Sequence, residues 1–132
     1  IMVYDPVALV AGLLHAMLPT GTLNPDKAAQ NPCMFVDSGV VKLFEECYKL
    51  GAEKKRIVLK VAGGAACKAA QADGKDFFAI GSRNITVLRK LLWKNGVLIK
   101  GADVGGSIPR TVSIDVRTGE VLVKANGDTI AL

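Results

Sequence analysis

The chain has 132 residues, half of them hydrophobic and 22% charged, with 17 Lys and Arg against 12 Asp and Glu for a net charge of +5. That length suits one domain able to bury roughly two thirds of its unfolded surface without staples, and scattered basic residues with only 5% aromatics argue against a nucleic-acid surface, which needs clustered cations and stacking platforms. Cys33, Cys47 and Cys67 are odd in number, lack CxxC spacing and have no His nearby, which argues against a zinc site or disulfide framework and for free thiols in a reducing cytosol.

Ile1-Met2-Val3-Tyr4 reads as an apolar strand closed by the turn-forming pair Asp5-Pro6. The run from Pro6 to Pro19 is uncharged, but the twelve residues between its prolines are too few for a membrane span of about twenty. Asp5 also stands where a secretory signal would carry Lys or Arg. The expectation is therefore a buried core segment in a cytoplasmic protein with no membrane insertion. Within it, Val10 to Leu18 suits either a buried strand or a buried helix. Gly12 weighs against the helix, and a hairpin turning at Asp5-Pro6 makes it a strand.

Thr20 to Pro32, rich in Gly, Asn, Asp and Pro, reads as a loop. A helix follows from about Met34 to Leu50, with Val36, Val40, Val41, Phe44 and Tyr48 on its inner face, and Gly51 stops it. Ile57 to Ala62 is a β-branched strand running into Gly63-Gly64, and Lys68 to Lys75 is read as an exposed loop. A second helix, about Arg83 to Asn95, buries Ile85, Leu88, Leu91 and Leu92 and ends at Gly96. Strands are expected at Val97 to Lys100, Thr111 to Val116 and Glu120 to Lys124, the last two joined by Arg117-Thr118-Gly119. The order implies an α+β domain with two main helices packed on a mixed sheet.

His15 is the only histidine. Imidazole alone has an unperturbed pKa, about 6.5, that lets it exchange protons near neutrality, so within an apolar run it is either a hydrogen-bonded core residue or a proton-transfer group. Gly63-Gly64 follows a strand, as a phosphate-cradling loop does. The Gly-Lys-Ser/Thr ending and the full dinucleotide fingerprint are absent, which favours a turn of positive φ or close backbone packing. Ser82 or Gly81 is read as the N-cap of the second helix, and Arg83 and Asn84 in its first turn either stabilise the fold or line a pocket. Gly105-Gly106 with Arg110 reads as a tight turn and a surface charge unless it faces His15. Arg83, Lys90 and Lys94 share one helical face, solvated or available to an acidic partner.

Tyr4-Asp5-Pro6 with Gly12-Leu13-Leu14-His15-Ala16-Met17-Leu18-Pro19, Val61-Ala62-Gly63-Gly64-Ala65, Ile80-Gly81-Ser82-Arg83-Asn84, and Asp103-Val104-Gly105-Gly106 with Arg110 occur in that order. Together they resemble the CheD family of chemoreceptor glutamine deamidases, over essentially the whole chain. The resemblance implies a layered α-β-β fold and a cysteine hydrolase that turns receptor glutamine into glutamate. It makes His15 the catalytic base and acid, with Gly63, Gly64, Arg83, Asn84, Gly105 and Gly106 binding substrate or shaping the site, and it calls for no metal or cofactor. It also implies two partners, methyl-accepting chemoreceptors as substrate and a chemotaxis phosphatase of the CheC type. The family's nucleophile lies in a Gly-Ser-Cys turn a few residues ahead of the Asp-Pro pair, and its assisting threonine lies further upstream. Residues 1–132 are therefore expected to form a single domain truncated at its N-terminus, with the catalytic cysteine outside it. Cys33, Cys47 and Cys67 do not take the nucleophile's place. A non-catalytic adaptor that binds receptors or the phosphatase is the alternative from another class.

Overall fold

The computed structural model describes residues 1–66 and 79–132. The expected exposed loop at 68–75 and Cys67 lie outside the described residues.

Strand β1 (Met2–Asp5) turns back antiparallel onto β2 (Val10–Leu13), pairing Met2 with Leu13 and Val3 with Gly12. On its other side β1 pairs antiparallel with β3 (Val58–Gly63), and β3 pairs parallel with β4 (Ile99–Val104). The result is a mixed four-stranded sheet in the order β2-β1-β3-β4. A second sheet is an antiparallel meander of β5 (Thr111–Ile114), β6 (Val121–Ala125) and β7 (Asp128–Ala131). Strand β7 was not expected, although Asn126-Gly127 ahead of it is a strong hairpin signal.

The main helices are α2 (Val36–Lys49) and α3 (Ile80–Lys94), preceded by the short α1 (Pro25–Gln30). Helix α1 corrects the reading of Thr20 to Pro32 as loop. Asn24 caps it by accepting the Lys27 N–H, and Pro25 occupies the first turn, where its missing N–H costs nothing.

Burial on β1 explains the layering. All four of its residues are buried, because the strand is covered on both faces. Val3 points into a core with Leu59, Val61, Val40, Leu43, Phe44, Leu88 and Leu92, between the four-stranded sheet and the helices. Met2 points the opposite way and packs with Val121 and Val123 of the second sheet. Tyr4 follows Met2, and its hydroxyl donates to the Arg117 carbonyl, 2.9 Å away. The layers are thus helices, mixed sheet and meander, the expected α-β-β arrangement.

The inner face of α2 is rotated from the expected one. Leu43 and Cys47 are buried with Val36, Val40 and Phe44, whereas Val41 is 50% and Tyr48 41% exposed. Helix α3 begins three residues early, and its N-cap position is Ala79, not Ser82 or Gly81. Ser82 instead sits in the first turn and donates its hydroxyl to the Ala79 carbonyl.

Candidate functional site

The apolar run around His15 is not sealed in the core. From Leu13 to Met17 burial alternates. Leu14 is buried and Ala16 half-buried, while Leu13, His15 and Met17 are exposed. This is the alternation of an extended chain with one face on the core. Strand β2 ends at Leu13, so His15 lies just past the regular strand, in a segment pinned on both sides. The Leu14 N–H donates to the Ile1 carbonyl (2.8 Å), and the Met17 and Leu18 N–H groups share the Met34 carbonyl (2.9 and 3.0 Å). Leu14 seats directly on Gly39 of α2, where an added Cβ would lie 3.0 Å from a Leu14 methyl. With Leu14 locked inward, His15 must point out.

His15 opens onto a cleft of about 280 Å³. Its walls include Leu13, Leu14 and Ala16, the end of β3 from Val61 to Gly64, and Asn84, Ile85 and Leu88 of α3. His15 is the only titratable side chain among these lining residues. Among the described residues no hydrogen bond holds its ring, so the reading of an internally bonded core histidine is not met.

Two glycines bring α3 to this cleft. A Cβ on Gly81 would collide with the Gly64 carbonyl, and one on Gly64 would meet the Ile85 side chain at 2.6 Å. Gly64 also has φ +66°, a left-handed conformation that glycine adopts at no cost. The Gly63-Gly64 turn and the start of α3 therefore touch backbone to backbone, which places Asn84 in the wall. Its Nδ2 donates to the Met17 carbonyl at 3.3 Å. Its Oδ1 is buried and has no hydrogen-bond partner among the described residues.

Gly105-Gly106 does not line the cleft but backs it. The Gly105 N–H donates to the Gly63 carbonyl and the Ala66 N–H to the Gly106 carbonyl, both at 2.8 Å. Arg110 is not the surface charge expected. Its side chain is 10% exposed, pairs with Asp103 through Nε and Nη2 at 2.8 and 2.9 Å, and donates to the Gly105 carbonyl. The guanidinium holds the Asp103 carboxyl below its ordinary pKa. Arg83 is exposed and lines a different groove with Lys27, Leu23 and Thr86, so it is not brought to His15.

Neither Cys33, exposed, nor Cys47, buried in the helix core where desolvation raises its thiol pKa, lines the cleft. Among the described residues no group of three or more His, Cys, Asp or Glu is placed to hold a metal ion. From the sequence, Asp5-Pro6 reads as a turn and part of a family motif, with no partner for the Asp5 carboxylate. Asp5 is fully buried, accepts from the N–H groups of Val7, Ala8 and Glu53, and is paired with Arg56. The lone arginine after Lys54-Lys55 carried no local signal of that partnership.

A family model described as CheD chemotactic sensory transduction matches residues 17–125. The chain is 49% identical over 127 residues to the probable chemoreceptor glutamine deamidase CheD 1 of Syntrophus aciditrophicus, covering 96% of this chain and 77% of that protein. It is 42% identical over 125 residues to the probable chemoreceptor glutamine deamidase CheD of Solibacter usitatus, covering 95% and 72%. With the protein of the same name from Natronomonas pharaonis it shares 40% over 131 residues, covering 98% and 75%.

Proposed function

The chain belongs to the CheD family, and from that membership we propose that it is a chemoreceptor glutamine deamidase, hydrolysing the side-chain carboxamide of receptor glutamines to carboxylate and ammonia. One observation carries the reading to a site. Among the described residues the only ionisable side chain in the cleft wall is the His15 imidazole, and it is open to a protein substrate.

In this reading His15 takes the proton of a cysteine thiol, and the thiolate attacks the carboxamide carbon. Collapse of the adduct breaks the C–N bond, and the imidazolium returns the proton to the departing ammonia. Water, deprotonated by the same imidazole, then attacks the thioester. The C–S bond breaks, leaving glutamate and a regenerated thiol. The thiol is assigned to the turn that the family places ahead of Asp5-Pro6. The register supports this: Met2 opposes Leu13 and Ile1 is bonded to Leu14, so a strand continuing ahead of Ile1 in this register runs beside His15. Gly63 contributes space, since nothing among the described residues lies within 4 Å of where its Cβ would be. Asn84 contributes an anchored amide beside the reacting groups.

The test is His15→Ala in the full-length protein, read by ammonia release from a receptor fragment. Removing the proton carrier of both steps should lower turnover at least roughly a hundredfold while leaving receptor binding within a few fold. Turnover within a few fold of wild type would remove His15 from the mechanism. Tight binding with no turnover even in the wild type would favour the adaptor reading. The proposal extends to a CheC-type phosphatase as second partner, checked by titrating the two purified proteins, and to a cytoplasmic location. Among the described residues no helix is long and apolar enough to cross a membrane.

A further inference from the structure

His15 does not stand alone on its extended segment. Leu13 and Met17, two residues to either side, project on the same exposed face and are 51% and 59% exposed. In extended chain a two-residue step is roughly 6.5 Å, so the imidazole sits midway between two apolar side chains. Singly exposed apolar residues are ordinary on any protein surface. What sets this pair apart is its placement about the one imidazole, beside a cleft whose lining has no Asp, Glu, Lys or Arg among the described residues.

A glutamine that belongs to a folded protein can reach His15 only by laying its neighbours on what flanks the imidazole. We propose that Leu13 and Met17 are specificity-determining residues that bury apolar side chains flanking the target glutamine, and so select a protein-borne glutamine over free glutamine or a bare amide. This rests on the deamidase reading and adds to it how the substrate is held. The occupant is the substrate protein itself, because the shoulders are continuous with the site where its glutamine must react. The contact is apolar, because among the described residues no charged side chain lines the cleft, so substrate affinity through Leu13 and Met17 is insensitive to moderate salt.

The experiment compares full-length wild type with Leu13→Ser, Met17→Ser and the double variant, using ammonia release from a receptor cytoplasmic fragment. Val7→Ser and Trp93→Ser are the controls; these side chains are 69% and 83% exposed but lie at the far turn of the hairpin and the far end of α3. The double variant should raise KM roughly tenfold with kcat within about threefold. Its nucleophile should be alkylated by iodoacetamide at the wild-type rate, because the reacting groups are untouched. The controls should leave KM unchanged. An unchanged KM in the double variant, or an equal rise in the controls, overturns the inference. If the wild type releases no ammonia, the deamidase reading has failed instead. Titration of the same fragment then still tests the shoulders, and a Kd unaffected by the double variant overturns them.

Discussion

Asp5 shows how much one side chain can organise. Its carboxylate, wholly inside, satisfies three backbone N–H groups and meets Arg56 Nε at 3.0 Å and Nη2 at 2.9 Å. One residue thereby closes the β1–β2 turn and fixes the approach to β3. Hydrogen bonding from Arg56, ahead of the backbone donors, holds its pKa well below the ordinary carboxylate range, against the opposing effect of burial. A depressed folded-state pKa means that the contribution to stability is fully present above the unfolded value of about 4 and drains away as pH falls below it. The thermal midpoint of the wild type should therefore fall steeply in acid below about pH 4. Asp5→Asn, uncharged throughout, should be flatter there and lower at pH 7 by at least roughly 5 °C. Equal acid slopes in the two proteins, measured by thermal melts from pH 2 to 7, would show that Asp5 is not a governing titration. Asn84 is the other residue of consequence. A buried amide oxygen is a cost without a donor, and Asn84 Oδ1 has none among the described residues, so Asn84→Leu, similar in shape and apolar, should leave the melting temperature unchanged or higher while lowering turnover. A lowered melting temperature with unchanged kcat would make Asn84 a structural residue only.

At the scale of elements, the site is made by a strand end and a helix start meeting through glycine. Gly81 has helical backbone, so its cost on substitution is steric alone. Gly81→Ala drives a methyl into the Gly64 carbonyl and must push the start of α3 away from the β3 turn. We expect a loss of about 1–3 kcal/mol of stability and a fall in deamidation, because Asn84 leaves the wall. Gly105→Ala is a useful contrast, since it has open space around its Cβ but a φ of +80°. Its cost is backbone strain in the loop that supports Gly63, with the α3 packing intact. Denaturant melts and ammonia release on both variants separate the two origins. If Gly81→Ala is as stable and active as wild type, the close approach is not what positions α3.

For the whole molecule, β1 is the strand that everything shares. It is covered by helices through Val3 and by the meander through Met2 and Tyr4, so the end of the first hairpin is held by all three layers while its outer edge stays open. That arrangement lets an exposed imidazole have a rigid backbone. With the nucleophile assigned ahead of Asp5-Pro6, residues 1–132 alone should bind a receptor fragment yet release no ammonia. Release that is abolished by replacing Cys33 or Cys67 would overturn that assignment.

Much of this was legible in the chain. β-branched residues at Val58–Val61, the apolar spacing of Leu88 and Leu92, and Gly51 and Gly96 as stops are local signals, and they set both helices and most strands. Four short motifs in one order were enough to identify the family, and His15 is the candidate that the resemblance singled out. Other features could not be read locally because their causes are distant in sequence. Which face of α2 turned inward depended on Val3 and Leu14, and this exposed Val41 and Tyr48 in favour of Leu43 and Cys47. The partnership of Asp5 with Arg56, and the conversion of Arg110 from surface charge to loop clasp, required chain closure. The sequence by itself determined the main helices, most of the strands, the fold class and the one imidazole in the chain. Only the tertiary structure decided that His15 faces outward between Leu13 and Met17 and that Asn84 lines the same cleft while Arg83 does not. Both outcomes come from close packing, Leu14 against Gly39 and Gly81 against Gly64, and no pattern along a single segment encodes a contact made between segments.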